Sequence, residues 1–154
     1  MRTSVDVHNH LQTLDIPHEL SKLPAAARSV EQIAAQLGLE AYQIIKVVIF
    51  FADQNPLAAL MPGDRKADYN KLKKVTGSSS LRLADPDEVR KLTGYLVGYT
   101  PPVAWVGELP AYIDMQALKE DVVYAGSGEP HTILKIRSYD LVRAADAEVV
   151  DIVK

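Results

Sequence analysis

The pattern of apolar and polar positions divides the chain into short segments of two periods. Residues 43–52 read Q-I-I-K-V-V-I-F-F-A, a β-branched and aromatic run with one charge, Lys46. Such a run predicts a buried central strand. Asp53 to Pro56 reads as a turn and Leu57 to Met61 as a second strand, which together make a hairpin. Leu81 to Leu83, Val103 to Val106, Ala111 to Asp114, Val122 to Ala125, Thr132 to Ile136 and Val149 to Val153 are further expected strands, and His18 to Leu23 a short extended piece. Helical spacing appears in Ser4 to Leu14, where Val7, Leu11 and Leu14 share a face. It returns after Ser29, where Val30, Ile33, Ala34 and Leu37 form a stripe that stops at Gly38. Ser29 and Gln32 have the spacing of a capping box. A third helix is expected over Asp68 to Val75, with Tyr69 and Leu72 inward and the lysines outward. A fourth starts at Asp85-Pro86, which combines a capping side chain with a proline at the first position, and ends near Gly94. Ser138 is expected to cap a last helix that runs to Ala145.

Strands and helices are mixed without strict alternation. This predicts an α+β fold with a mixed, partly antiparallel sheet. There is no repeat, low-complexity tract or linker, so residues 1–154 are expected to form one domain.

Composition narrows the chemistry. The chain is 47% apolar and 24% charged, as in ordinary soluble domains. A net charge of −3 means that any nucleic-acid contact must come from a local patch. The absence of cysteine excludes disulfides, thiolate catalysis and cysteine-bound zinc. No signal peptide or membrane-length apolar run is read, and a cytoplasmic location is expected.

Residues 94–102, G-Y-L-V-G-Y-T-P-P, fit neither a core nor a flexible linker. Two glycines permit unusual backbone angles and Pro101-Pro102 stiffens the exit. Such a loop can hold several N–H groups towards one carbonyl oxygen or phosphate. Lys46 has two readings. It can snorkel to the surface from the end of a turn, or it can stand in a cleft and hold an anionic or carbonyl group. Gly126-Ser127-Gly128 is half a nucleotide fingerprint, but a strand follows it, so a hairpin turn is expected. Ser127 lacks the elbow sequence of a nucleophile. His8 and His10 are two apart on a helix and are expected at the surface, while His131 beside the glycine turn is a modest pocket candidate. No two ligand-type residues have spacing suited to a metal hydrolase. Arg65, Lys66, Lys71, Lys73 and Lys74 form either a solvated helix face or a patch for a phosphate backbone. Tyr95, Tyr99 and Trp105 could stack a base, or simply pack.

The order and spacing of several blocks resemble the YbaK and prolyl-tRNA synthetase-associated editing domains, which are aminoacyl-tRNA deacylases. The blocks are Q-I-I-K-V-V-I-F at 43–50, G-D-R-K-A-D at 63–68, L-R-L-A-D-P-D-E-V at 81–89, the 94–102 loop, A-Y-I-D at 111–114 and the glycine turn at 126–128. The resemblance implies a barrel-like mixed sheet flanked by helices. It implies hydrolysis of the ester between a wrong amino acid and the terminal adenosine of a mischarged tRNA, without metal or organic cofactor. The family's G-x-x-x-P loop maps onto Gly98 to Pro102 and its strand lysine onto Lys46, which become the candidate catalytic residues. Tyr99, Thr100, Pro101, Ser127, Gly128 and His131 become candidate substrate contacts. The basic cluster at Arg65, Lys66, Lys71, Lys73 and Lys74 becomes the candidate tRNA contact. The partners implied are the acceptor end of tRNA and an aminoacyl-tRNA synthetase, with no DNA and no membrane. Cysteine-specific members carry an acidic residue where this chain has Ile133, and alanine-editing relatives use a histidine in that part of the pocket. The likeness therefore leans towards a small edited side chain such as alanine on tRNA for proline. The alternative is a family member that keeps the pocket for binding an aminoacyl-adenosine end or a synthetase and has lost turnover.

Overall fold

The strand that carries Lys46 also organises the sheet. The computed structural model describes all residues from Met1 to Lys154. Strand β2 is Ile44–Ala52, preceded in the chain by β1 (Glu19–Lys22), and β3 is Asn55–Pro62. β2 and β3 pair antiparallel over their length, from Ile45 opposite Pro62 to Ala52 opposite Asn55. The turn between them is two residues, with Asp53 at φ 55°, so the hairpin is tighter than the sequence predicts. The side chains of β2 alternate as the pleat requires. Ile45 and Ile49 enter the main core, whereas Phe50 and Ala52 enter a second cluster and Ile44 a third.

The remaining strands are β4 (Leu81–Leu83), β5 (Ala111–Asp114), β6 (Val122–Gly126), β7 (Thr132–Arg137) and β8 (Ala147–Val150). The sheet runs β1-β7-β6-β2-β3-β5-β8, with β4 attached to β2. Pairing is parallel for β2 with β6, β3 with β5 and β5 with β8, and antiparallel for the rest. The second edge of β2 is shared. β6 pairs with Ile44 and Ile45, β4 pairs with Phe50 to Ala52, and Lys46 to Val48 between them have no strand partner on that side. A central strand is thus opened at Lys46.

Five helices flank the sheet: α1 (Ser4–Thr13), α2 (Val30–Leu37), α3 (Tyr69–Thr76), α4 (Pro86–Thr93) and α5 (Ser138–Ala145). Val7 and Leu11 of α1, Val89 of α4 and Leu141 of α5 close the main core over one sheet face. Leu72 of α3 covers the second cluster and Ile33 of α2 the third.

Four expectations change. Val103 to Val106 is not a strand: Ala104 sits at φ 65°, and Val106 N donates to Thr93 O at 3.0 Å, at the end of α4. Val103 and Ala104 are buried all the same. The closing strand is Ala147–Val150 and not 149–153, because Ile152 donates its N–H to Asp114 Oδ1 at 2.9 Å and Val153 forms an isolated bridge with Ala67. Arg137 holds the cap position of α5, and Ser138 is its first residue, with a buried hydroxyl that has no hydrogen-bond partner. Gln32 completes only half a capping box. Its N–H donates to Ser29 Oγ at 3.2 Å, but its side chain accepts from Arg28 N at 2.7 Å, one residue outside the cap. No helix is long and apolar enough to cross a membrane.

Candidate active site

Lys46 and Gly98 line the same cleft, of about 120 Å³, together with Thr100, Gly126, Arg28 and Ser29. Val30, Ile33 and Ile44 form an apolar wall on one side. Lys46 is half-buried and makes no ion pair or hydrogen bond with another protein group. Burial pulls its ammonium below the ordinary lysine pKa. The carboxylates of Glu31 and Asp64 offset part of that shift, and Lys66 adds to it.

The glycine-proline loop is set by its ends and by one brace. α4 stops at Gly94, which takes φ 87° and returns its N–H to Arg90 O. Tyr95 is buried, donates its hydroxyl to Ala104 O at 3.0 Å, and has its pKa pushed up to about 12, mainly by burial. Trp105 Nε1 donates to Pro101 O at 2.8 Å. Within the loop Tyr99 N donates to Leu96 O, and Thr100 Oγ1 donates to the same oxygen. Gly128 N donates to Tyr99 O at 2.8 Å, so the glycine turn after β6 supports the loop from behind. At Gly126 an added Cβ would meet the carbonyl oxygens of Tyr99 and Thr100 at 3.2 Å. Gly98 stands at φ 93°, where a Cβ would also lie 3.2 Å from Arg28 O. The backbone N–H groups of Gly98 and Thr100 have no protein acceptor.

The other wall is the start of α2. Ser29 caps the helix, and the N–H groups of Val30 and Glu31 are unengaged. The positive end of the helix dipole therefore meets Lys46 in the cleft. Arg28 adds a second cation and ties the walls together, donating from Nε to Tyr99 Oη at 3.1 Å. Arg28 escaped the sequence reading because it lies in a non-repeating segment, Pro24 to Ser29, whose only signal was the cap that follows it.

Other expected site residues fall elsewhere. Ser127 is buried and donates to Thr132 O at 2.7 Å, which makes it a hairpin staple away from the cleft lining. Gly128 takes φ 94° against the Tyr95 ring, where a Cβ would lie 2.6 Å away. His131 is exposed in the turn and does not line the cleft. Pro101 and Pro102 are buried behind the loop. His8 is no isolated surface residue, since its Nδ1 lies 2.9 Å from His18 Nε2. The basic cluster divides. Lys71 is committed to Asp151 at 3.0 Å and to Val153 O, and Arg65 to Lys154 O. Lys66, Lys73 and Lys74 make no ion pair. Tyr69, expected inward, is 40% exposed, with its ring edge-on to Phe50.

The family model of the aminoacyl-tRNA editing domain matches residues 24–144, a span that includes both walls of the cleft. The chain belongs to this editing-domain family. Curated relatives include the proline–tRNA ligase of Nitratidesulfovibrio vulgaris strain Hildenborough, 36% identical over 133 residues, which cover 84% of this chain and 22% of the ligase. The ligase of Geobacter sulfurreducens is 34% identical over 116 residues, covering 75% of this chain and 20% of the ligase. The chain thus spans about a fifth of the length of these ligases. Among solved structures, a proposed trans-editing enzyme for prolyl tRNA synthetase is 30% identical, with a TM-score of 0.90 over 100% of this chain and 98% of that one. A hypothetical protein is 31% identical, with a TM-score of 0.92 over 97% and 99% of the two chains. The editing-domain fold is therefore present as a single α+β unit with its mixed sheet and flanking helices.

Proposed function

We propose that this chain is an aminoacyl-tRNA deacylase that acts in trans on mischarged tRNA. The observation that carries the reading is the shared cleft, where a half-buried, unpaired Lys46 faces a loop with two unengaged amides. Ester hydrolysis needs little else. Water adds to the ester carbonyl, the carbon becomes tetrahedral, and its oxygen takes up negative charge. The Gly98 and Thr100 amides are the assigned donors to that oxygen, an effect typically worth about 3–4 kcal/mol per donor. Lys46, with Arg28 and the start of α2, holds the terminal phosphate or the carbonyl. Collapse of the intermediate breaks the bond to the ribose oxygen, which leaves with a proton, and frees the amino acid. No side chain in the cleft lining is an obvious general base. Positioning of water by the neighbouring ribose hydroxyl of the substrate suits such a site.

The lining favours a small apolar side chain. The apolar wall of Val30, Ile33 and Ile44 suits a methyl group better than a charged substituent. Alanine on tRNA for proline is the assigned substrate, in keeping with the likeness to proline–tRNA ligases and to the proposed trans-editing enzyme. An aminoacyl-tRNA synthetase is the partner that would add tRNA affinity. Wild-type protein incubated with a panel of mischarged tRNAs should release alanine from tRNA for proline faster than amino acids with larger side chains. Failure to cleave any ester in the panel would leave only a binding module.

A further inference from the structure

Lys46 stands between two openings. On the same face of β2, one pleat repeat (~7 Å) further along, a second groove of about 340 Å³ begins. Its floor is Val48 and Phe50, its far wall is Tyr69 and Leu83, and Lys66 stands beside Lys46 at its rim. Three properties distinguish it from a packing defect. Leu83 is 54% exposed and Tyr69 40% exposed, although both are large and apolar and both belong to regular elements. The two lysines make no ion pair. The groove adjoins the catalytic cleft, because Lys46 lines both.

Apolar side chains and an aromatic ring under cations suit one class of ligand, a nucleobase on a single-stranded backbone. The base stacks on the apolar surface while cations meet the phosphate. We propose that this groove seats the nucleotide preceding the terminal adenosine, so that the single-stranded end of the RNA runs past Lys46 from one opening into the other. This rests on the deacylase reading for the polarity of the strand. Of the two tasks open to Lys46, it selects the phosphate, the one between the two nucleosides. It also divides the basic residues around α3: Lys66 meets the strand, whereas Lys71 is occupied with Asp151.

The test needs no ester. Affinity for an uncharged RNA trinucleotide, 5′-CCA-3′, and for adenosine monophosphate is measured by NMR titration on the full chain. In the wild type the trinucleotide should bind about fivefold more tightly than the mononucleotide, or better, as one added stack requires. Leu83→Ser should remove that gain, and Tyr69→Leu, which keeps an apolar contact with Phe50, should reduce it. Lys66→Ala should lower the slope of log affinity against log salt by about 0.7, the value for one phosphate contact on a single strand. Equal affinity for the two ligands in the wild type overturns the proposal, as does trinucleotide binding unchanged in both Leu83→Ser and Tyr69→Leu. Ester hydrolysis plays no part in this measurement, so a protein that fails to deacylate any tRNA can still bind the trinucleotide in the groove. A protein that deacylates but shows no gain from the added nucleotides refutes the groove alone.

Discussion

Lys46 is held at a thermodynamic disadvantage. Its pKa in the folded chain lies below the ordinary lysine value, chiefly because burial disfavours the charged form. The folded state therefore binds that proton less well than the unfolded chain does. At neutral pH the group subtracts from stability, and the penalty disappears as pH rises past the unfolded lysine value. Lys46→Met should accordingly raise the melting temperature at pH 7, with the gain fading above about pH 10.5, while deacylation is lost. Activity has the opposite sign: the ammonium is present below the folded pKa and lost as pH rises through it. After subtraction of uncatalysed hydrolysis, the alkaline limb of the rate profile should fall before the ordinary lysine range is reached. Gly98 carries a different constraint. Alanine there would take a φ of 93° and press its Cβ against Arg28 O. Gly98→Ala should cost about 1–3 kcal/mol of stability, the usual size of such backbone strain. It should also lower deacylation, and thermal melts with single-turnover rates check both.

The cleft depends on how α4 leads into the loop. Asp85 accepts from Glu88 N, and Glu88 accepts from Asp85 N and from both guanidinium amines of Arg82, at 2.8 and 2.9 Å. Arg82 also lies 4.4 Å above the Phe51 ring. The pairing holds the Glu88 carboxyl at about 2, chiefly through Arg82. Its contribution is complete above the unfolded glutamate value and is lost as pH falls towards 2. Glu88→Gln should lower the melting temperature at neutral pH and flatten the acid side of the stability profile. This cap was legible in the sequence, as were the β2–β3 hairpin and the lysine within β2, because each is a local pattern with one physical meaning. The edge left open at Lys46 was not legible. It arises from β6 and β4 sharing one side of β2, and both come from distant parts of the chain. The irregular path of 103–106 was hidden for a related reason. An apolar run predicts burial, and Val103 and Ala104 are buried, but Ala104 is left-handed and Val106 N pairs with the end of α4 and not with a strand. Ser127 and His131 became candidates through the family likeness and the glycine turn beside them, whereas the hairpin turns one inward as a staple and leaves the other in solvent.

At the scale of the whole molecule, a net charge of −3 is combined with a locally basic entrance. Arg28, Lys46 and Lys66 line the two openings that meet at Lys46, and the start of α2, at Ser29 and Val30, lines the first of them. A net negative charge gives no long-range attraction to RNA, so under the proposed function binding rests on this local patch. The most direct measurement is single-turnover hydrolysis of alanyl-tRNA for proline by the wild type and by Lys46→Ala, with folding of the variant checked by its thermal melt. The expected result is a loss of about 100-fold or more with the melt preserved. Wild-type rates in a folded Lys46→Ala protein would contradict a catalytic role for the cleft.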